Sequence, residues 1–215
     1  MDGVSEYLGY PLIRNRKVLY QQVDVQIKHG AFGIGYPQVN NLYDPREPTT
    51  GNNSTWLLTD PLKWEVDYHE LGHAQWLTGF PGEIEAIVNF LHAYVRNVKF
   101  GVDFDVAFQQ SFGPAYGNIG FTPDNAAIHW MVTENFRNGR PMDRSNTTKD
   151  EFRYQQRGYA KYADIARLFA WQALRDFHQQ EHVDYMANTP SDGLDPVDSR
   201  ILRLSVAADA DLTPL

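Results

Sequence analysis

The residues most able to do chemistry form the run His69-Glu70-Leu71-Gly72-His73, which fits the pattern H-E-x-x-H. Two histidines at this spacing stand on one face of a helix and can share a single zinc ion. Glu70 follows the first histidine directly, where it can take a proton from a zinc-bound water without occupying a coordination position. The run therefore predicts a zinc site in which His69 and His73 are metal ligands and Glu70 is the general base.

The position of this run on its predicted helix distinguishes a metal site from a chance match to the pattern. Short patterns of this kind recur in unrelated helices, most often with solvent-facing histidines. Thr59 or Asp60 can cap a helix that has Pro61 at its first position, and Gly79 can end it, so a helix is predicted over residues 61–78. Both histidines fall within the apolar stripe of this helix and are expected to be largely buried, which favours the metal site. The stripe consists of Leu62, Val66, His69, His73 and Leu77.

A catalytic zinc site also needs a third protein ligand, and the next helix offers Glu83 and Glu85. This helix is predicted to begin at Pro81-Gly82 and to end before Gly101. The turn before it brings Glu83 back alongside the zinc helix, where the positive end of the helix dipole favours a carboxylate. Glu83 is the predicted ligand, and Glu85 stays open as the alternative because either could be only a charge at a helix start.

The periodicity of the second helix underlies this preference. Glu83 shares one flank with the apolar and aromatic positions Ile87, Phe90 and Tyr94. Glu85 shares the other flank with Asn89, His92 and Arg96, and that polar flank is expected to be solvated.

Two further histidines, His29 and His129, are weaker candidates for orienting a substrate or stabilising an oxyanion. A lone histidine is more often structural or exposed, and the apolar residues around His129 predict a buried helix there. Those residues are Ile128, Met131, Val132 and Phe136.

Composition limits the classes of protein and partner. The 215 residues carry a formal net charge of −8, which disfavours nucleic acid as a partner. There are no cysteines, so a metal must be held by nitrogen and oxygen. No apolar run approaches the ~20 residues of a membrane helix, and the N-terminus lacks the features of a signal peptide. One domain, residues 1–215, is predicted, as an excerpt of a longer protein because residues 1–8 already have helical spacing.

The other predicted elements make the fold class α+β and helix-dominated, with a small sheet portion near the N-terminus. They are a helix at 1–8 ended by Gly9, a strand at 23–27, a loop from Asn40 to Thr55, and helices from Thr122 to near Gly139, from Thr148 to about Gln180, and from Pro196 to Ala207.

Several of these segments together resemble one known family, the enhancin-like zinc peptidases, or metallopeptidase family sixty, which include bacterial mucin-degrading enzymes. The shared order and spacing are those of the strand at 23–27, Gly35-Tyr36-Pro37, Trp64, the run at 69–73, Gly82-Glu83 with Asn89 following, and the helical segments at 168–171 and 204–213. Ala170 stands where the family is expected to have glycine, and Glu85 where it more often has a small polar residue.

The resemblance implies a zincin-like catalytic domain of gluzincin type, with His69, His73 and Glu83 as ligands and Glu70 as the catalytic residue. It also implies a secreted or cell-surface endopeptidase that cuts O-glycosylated, mucin-like proteins. Two other classes of function remain open at this point. One is a non-catalytic glycan- or protein-binding domain that keeps the fold, against which the intact Glu70 argues, and the other is a purely structural helical domain.

Overall fold

Helices dominate the part of the chain for which a computed structural model gives a described conformation, namely residues 2–9, 21–24, 38–41, 68–69, 72, 87–111, 122–140 and 160–214. Tyr68, His69 and Gly72 are helical. The named elements are α1 (Asp2–Leu8), β1 (Gln21–Asp24), β2 (Gln38–Asn41), α2 (Phe90–Tyr94), a π-helix (Val95–Lys99), α3 (Phe104–Gln110), α4 (Pro123–Met131), α5 (Glu134–Arg137), α6 (Ala160–Ala187) and α7 (Pro196–Ala208).

The first helix forms as predicted. It ends at Leu8, and Gly9 follows with φ of 74°, a left-handed conformation that glycine adopts at little cost. A Cβ at Gly9 would also lie 2.6 Å from the side chain of Gln179 on α6, so the chain passes α6 closely here. Tyr7 and Leu8 are buried in the core.

The described β structure is one parallel pair, β1 with β2. β1 confirms the expected strand in part, because it begins at Gln21 and its described residues end at Asp24. Pairing runs from Gln21 opposite Gln38 to Asp24 opposite Asn41. The predicted loop from Asn40 is therefore wrong at its first two residues, which belong to β2. A strand as polar as Gln38–Asn41 has no alternation by which the sequence could reveal it.

The helix predicted to end before Gly101 does end there, and Gly101 has φ of 67°. Its last turn is a π-helix rather than a continuation of α2. α3 was not predicted, although its start carries a clear capping signal. The Asp103 carboxylate accepts hydrogen bonds from the backbone N–H groups of Asp105 and Val106 at 3.0 and 3.1 Å.

The single helix predicted from Thr122 to near Gly139 is two helices, α4 and α5. Its start is confirmed, since the Thr122 hydroxyl accepts from the backbone N–H of Asn125 at 3.3 Å. The break lies at Thr133, whose extended backbone and hydroxyl, accepting from Phe136 N–H at 3.3 Å, cap α5 instead.

The two C-terminal helices pack together. α6 extends to Ala187, beyond the predicted end near Gln180, and α7 matches its predicted bounds to within one residue. Arg203 of α7 forms ion pairs with Glu181 and Asp184 of α6. Both ion pairs lie beyond Gln180 and tie that part of α6 to α7.

An aromatic cluster joins α1, α2, α3 and α6 and forms the centre of the core. Trp171 stacks on Phe108 with ring centroids 5.5 Å apart and meets Tyr94 edge-on at 5.4 Å. Its indole N–H donates to Asn97 Oδ1 at 2.8 Å. Within the described residues, no helix is both long and apolar enough to span a membrane.

Candidate metal centre

Of the four residues predicted to form the metal site, the structure describes His69. His69 is helical and half-buried, less buried than the stripe predicted, and Gly72 from the same run is helical and buried. Glu70, His73 and Glu83 lie outside the described residues. Among the residues that are described, no three or more His, Asp or Glu side chains come together as a group that could hold a metal ion.

A hydrogen bond links His69 to Asn89 on the following helical segment. His69 Nδ1 lies 2.8 Å from Asn89 Oδ1 across a sequence separation of 20 residues. An amide oxygen only accepts, so His69 Nδ1 donates the proton of this hydrogen bond. In a neutral imidazole this tautomer leaves the lone pair on Nε2.

The residue before His69 makes a second contact with the same segment. The rings of Tyr68 and His92 stack with centroids 4.5 Å apart and an interplanar angle of 16°. Tyr68 is buried, and His92 is 1% exposed. The adjacent residues Tyr68 and His69 thus contact His92 and Asn89, which lie three residues apart on one side of a helical segment.

The third contact is the closest. A Cβ placed at Gly72 would lie 2.6 Å from Val88 Cβ and 2.8 Å from the Val88 carbonyl oxygen. No real Cβ is found at such distances, so only glycine lets the two backbones approach this far. The position between His69 and His73 is therefore one at which the two segments touch directly.

The flank shared by Glu85, Asn89 and His92 was expected to be solvated, and that expectation is wrong at Asn89 and His92. Each is 1% exposed, as buried as Ile87 and Phe90 on the other flank at 0%. These polar residues are buried because they pack against residues 68–72, where Asn89 is hydrogen-bonded to His69 and the His92 ring stacks on Tyr68. Hydropathy alone assigns such positions to solvent, since it does not register a polar partner on another element.

The other two candidate histidines do not contribute to this centre as described: His129 lies on another helix, and His29 lies outside the described residues. His129 is exposed on α4, and the buried helix predicted around it is wrong, since Ile128 is 61% and Val132 is 65% exposed.

The hydrogen bond of His69 is of the kind that zinc-binding histidines make. An imidazole that binds zinc through Nε2 usually donates its Nδ1–H to an oxygen, and this partner orients the ring. The chain has no cysteine, so nitrogen and oxygen ligands, the set found in catalytic zinc sites, are the ones it can supply.

Comparison with known proteins finds two similar sequences. They are Escherichia coli proteins whose names describe lipoproteins, YghJ of strain O78:H11 (H10407 / ETEC) and the AcfD homolog of strain K12. Each is 32% identical to this chain over 117 residues, which make up 54% of this chain and 7% of the relative. The matched part is thus a small fraction of the relatives' length. No family profile matches the chain, and no solved structure does.

Proposed function

We propose that this chain is part of the catalytic domain of a zinc-dependent endopeptidase of the enhancin-like, gluzincin type, with a zincin-like fold. The observation that carries the proposal is the contact between His69 and Asn89, at 2.8 Å, within an H-E-x-x-H run. A chance match to the pattern would have no need of a buried amide that holds the imidazole in its metal-binding tautomer. The partial similarity to YghJ and the AcfD homolog supports the same assignment.

His69 and His73 are the proposed histidine ligands, and Glu70 is the proposed general base. When bound, zinc would polarise the scissile carbonyl and make water a better nucleophile at neutral pH. Glu70 takes the proton from the attacking water and passes it to the leaving amine. Asn89 holds His69 during these steps, and the packing of Gly72 on Val88 keeps the run close to the following segment.

The third ligand is a glutamate from the start of the following helix. Glu83 is the residue predicted from periodicity, but the burial of Asn89 and His92 removes the reason for setting Glu85 aside. Glu85 precedes Asn89 by four residues, the spacing of side chains on one helical face. Because Asn89 contacts His69, that spacing favours Glu85 over Glu83, and the two can be compared directly by substitution.

The proposed substrates are proteins that carry clustered O-glycans, and the proposed location is secreted or at the cell surface. The substrate rests on the resemblance to mucin-degrading peptidases, and the location also rests on relatives whose names describe lipoproteins. Tyr36, Trp64, Trp76 and Arg140 could contribute to a sugar-reading surface. Of these, Arg140 is described, and it is exposed.

Zinc content and activity measured together test the proposed function. The purified chain is expected to hold about one zinc ion per molecule, as a single site of this type requires. His69→Ala and His73→Ala are expected to lose the metal, whereas Glu70→Gln keeps it and loses peptidase activity. Loss of zinc in Glu70→Gln equal to that in the histidine variants would contradict the separation between ligands and base. A metal-free wild-type chain would overturn the proposal itself.

The substrate is tested with one mucin-type glycopeptide, cleaved before and after enzymatic removal of its O-glycans. Faster cleavage of the glycosylated form is expected, and Glu70→Gln serves as the blank in both arms. Faster cleavage of the bare peptide would reject glycan recognition and leave the zinc peptidase assignment intact.

A further inference from the structure

We infer that Asn89 is a positioning residue of the metal site, which sets the tautomer and orientation of His69 and thereby the affinity for zinc. The inference rests on the proposed zinc site and adds to it a residue outside the ligand set. Its basis is the hydrogen bond from His69 Nδ1–H to Asn89 Oδ1, 2.8 Å long, between a half-buried ring and an amide that is 1% exposed.

Asn89 contacts His69 from within a helical stretch and not from a helix-capping position. Its backbone is helical, with φ of −81° and ψ of −16°, and Ile87 before it is helical as well. Its side chain accepts no hydrogen bond from the backbone N–H groups of the first turn of α2. Its amide oxygen lies 2.8 Å from His69 Nδ1 on the neighbouring segment.

The amide at position 89 constrains the imidazole in two ways. First, an acceptor at Nδ1 favours the tautomer with the proton on that nitrogen, so no free energy is spent on tautomerisation when Nε2 binds metal. Second, the short contact fixes rotation of the ring about its side-chain torsions, since Asn89 itself is held in the core. Removing such a partner of a metal-binding histidine typically weakens metal affinity about 10- to 100-fold.

Asn97 provides a matched comparison within the same helical segment. It is an asparagine with comparable hydrogen bonds, accepting from Trp171 Nε1 at 2.8 Å and donating to the Val102 carbonyl at 2.8 Å. These bonds hold the end of the π-helix and the aromatic cluster, away from residues 68–72. Loss of Asn97 therefore reproduces the loss of a partly buried amide without touching His69.

The experiment measures zinc affinity of the 215-residue chain by competition with a chromophoric chelator, and unfolding free energy of the metal-free chain by urea titration. The variants are Asn89→Leu, which removes the acceptor at similar volume, Asn89→Asp, which keeps it, and Asn97→Leu. Asn89→Leu is expected to bind zinc about 10- to 100-fold more weakly. Asn89→Asp is expected to bind at least as tightly as the wild type, because a carboxylate at Nδ1 makes the imidazole more basic. Asn97→Leu is expected to lose stability and keep its zinc affinity.

The visible spectrum of the cobalt(II)-substituted chain gives a second measurement, because the d–d bands report ligand geometry rather than stability. They are expected to change in Asn89→Leu and to stay unchanged in Asn97→Leu. Wild-type zinc affinity in Asn89→Leu, or an equal loss in Asn97→Leu, overturns the inference while the zinc site stands. If Asn89→Leu does not fold, the zinc affinity of Asn89→Asp is the test. A tenfold weaker zinc affinity in Asn89→Asp rejects the positioning role of residue 89. A wild-type chain that binds no zinc removes the proposed function and this inference together.

Discussion

Gly72 lies against Val88 so closely that a Cβ at position 72 would be 2.6 Å from Val88 Cβ and 3.0 Å from its Cα. Two of the nearest atoms belong to the Val88 backbone, so no rotation of a side chain can relieve the contact. This approach keeps the zinc run and the segment from Ile87 to Tyr94 at a fixed distance. It also gives Gly72 a structural role within the motif, at a position that the pattern H-E-x-x-H leaves open.

Gly72→Ala is therefore expected to lower the unfolding free energy by about 1–3 kcal/mol, the usual effect of an added methyl group in a tightly packed site. Zinc affinity should also fall, because His69 and His73 flank the residue that must move. Urea unfolding of the metal-free chain and chelator competition measure the two effects. Gly101→Ala is the control, since its Cβ meets nothing within 4 Å and only the φ of 67° is unfavourable. Unchanged zinc affinity in Gly72→Ala would show that the contact does not position the ligands.

Ala170 provides a stability prediction away from the site. It has φ of 59° and ψ of 169° inside α6, a conformation that is nearly restricted to glycine and costs an alanine about 1–3 kcal/mol. Ala170→Gly is expected to stabilise the chain by about 1 kcal/mol, after allowing for the greater flexibility of glycine in the unfolded state. Ala163→Gly, at a buried position of the same helix, should instead destabilise it by about 1 kcal/mol. Destabilisation by both substitutions would contradict the strained conformation at Ala170.

The buried His178 is expected to make the free energy of unfolding depend on pH. Burial lowers the pKa of His178 from 6.5 to about 3, and the ring of Tyr7 lies against it with centroids 5.3 Å apart. Between about pH 6 and pH 4 the unfolded chain binds a proton at this residue and the folded chain does not, so its contribution to stability is lost as pH falls. The expected slope from this residue is about 1.4 kcal/mol per pH unit in that window.

His178→Leu places an apolar side chain at the buried position and removes the group that titrates. The urea-derived unfolding free energy of the variant should fall less steeply with decreasing pH than that of the wild type, by about one proton. Above about pH 7 the two curves should run parallel, because the histidine is neutral in both the folded and unfolded states. Equal slopes below pH 6 would show that His178 is protonated in the folded chain.

Local signals predicted the elements whose ends are set by nearby residues. Thr122-Pro123 and Asp195-Pro196 carry the N-terminal signals of α4 and α7, and both helices begin where those signals lie. Gly9 and Gly101 mark helix ends for the same reason, since a left-handed residue needs no distant partner. The sequence was therefore informative at these boundaries, whereas the equally local caps at Asp103 and Thr133 were missed.

Features that depend on another element were missed. The burial of Asn89 and His92 comes from Tyr68 and His69, about 20 residues away, and hydropathy registers neither partner. The break at Ala170 contradicts the intrinsic preference of alanine, the best helix former, and directly precedes Trp171 of the aromatic cluster. The motif predicts the chemistry, whereas the hydrogen-bond partner of its first histidine emerged from the fold.

The choice between Glu83 and Glu85 tests whether the helical register of Asn89 extends back to the third ligand. Glu83→Gln and Glu85→Gln keep the size of each side chain and remove the charge, so zinc affinity separates a ligand from a helix-start charge. A true ligand should cost far more zinc affinity than a surface carboxylate, whose removal changes affinity little once the charges are screened by salt. The periodicity of the predicted helix favours the larger loss in Glu83→Gln. The contact of Asn89 with His69 favours the larger loss in Glu85→Gln, because the predicted helix would place residues 85 and 89 on one face. Measurement in high salt with chelator competition compares the two variants, and equal small losses would place the third ligand elsewhere in the chain.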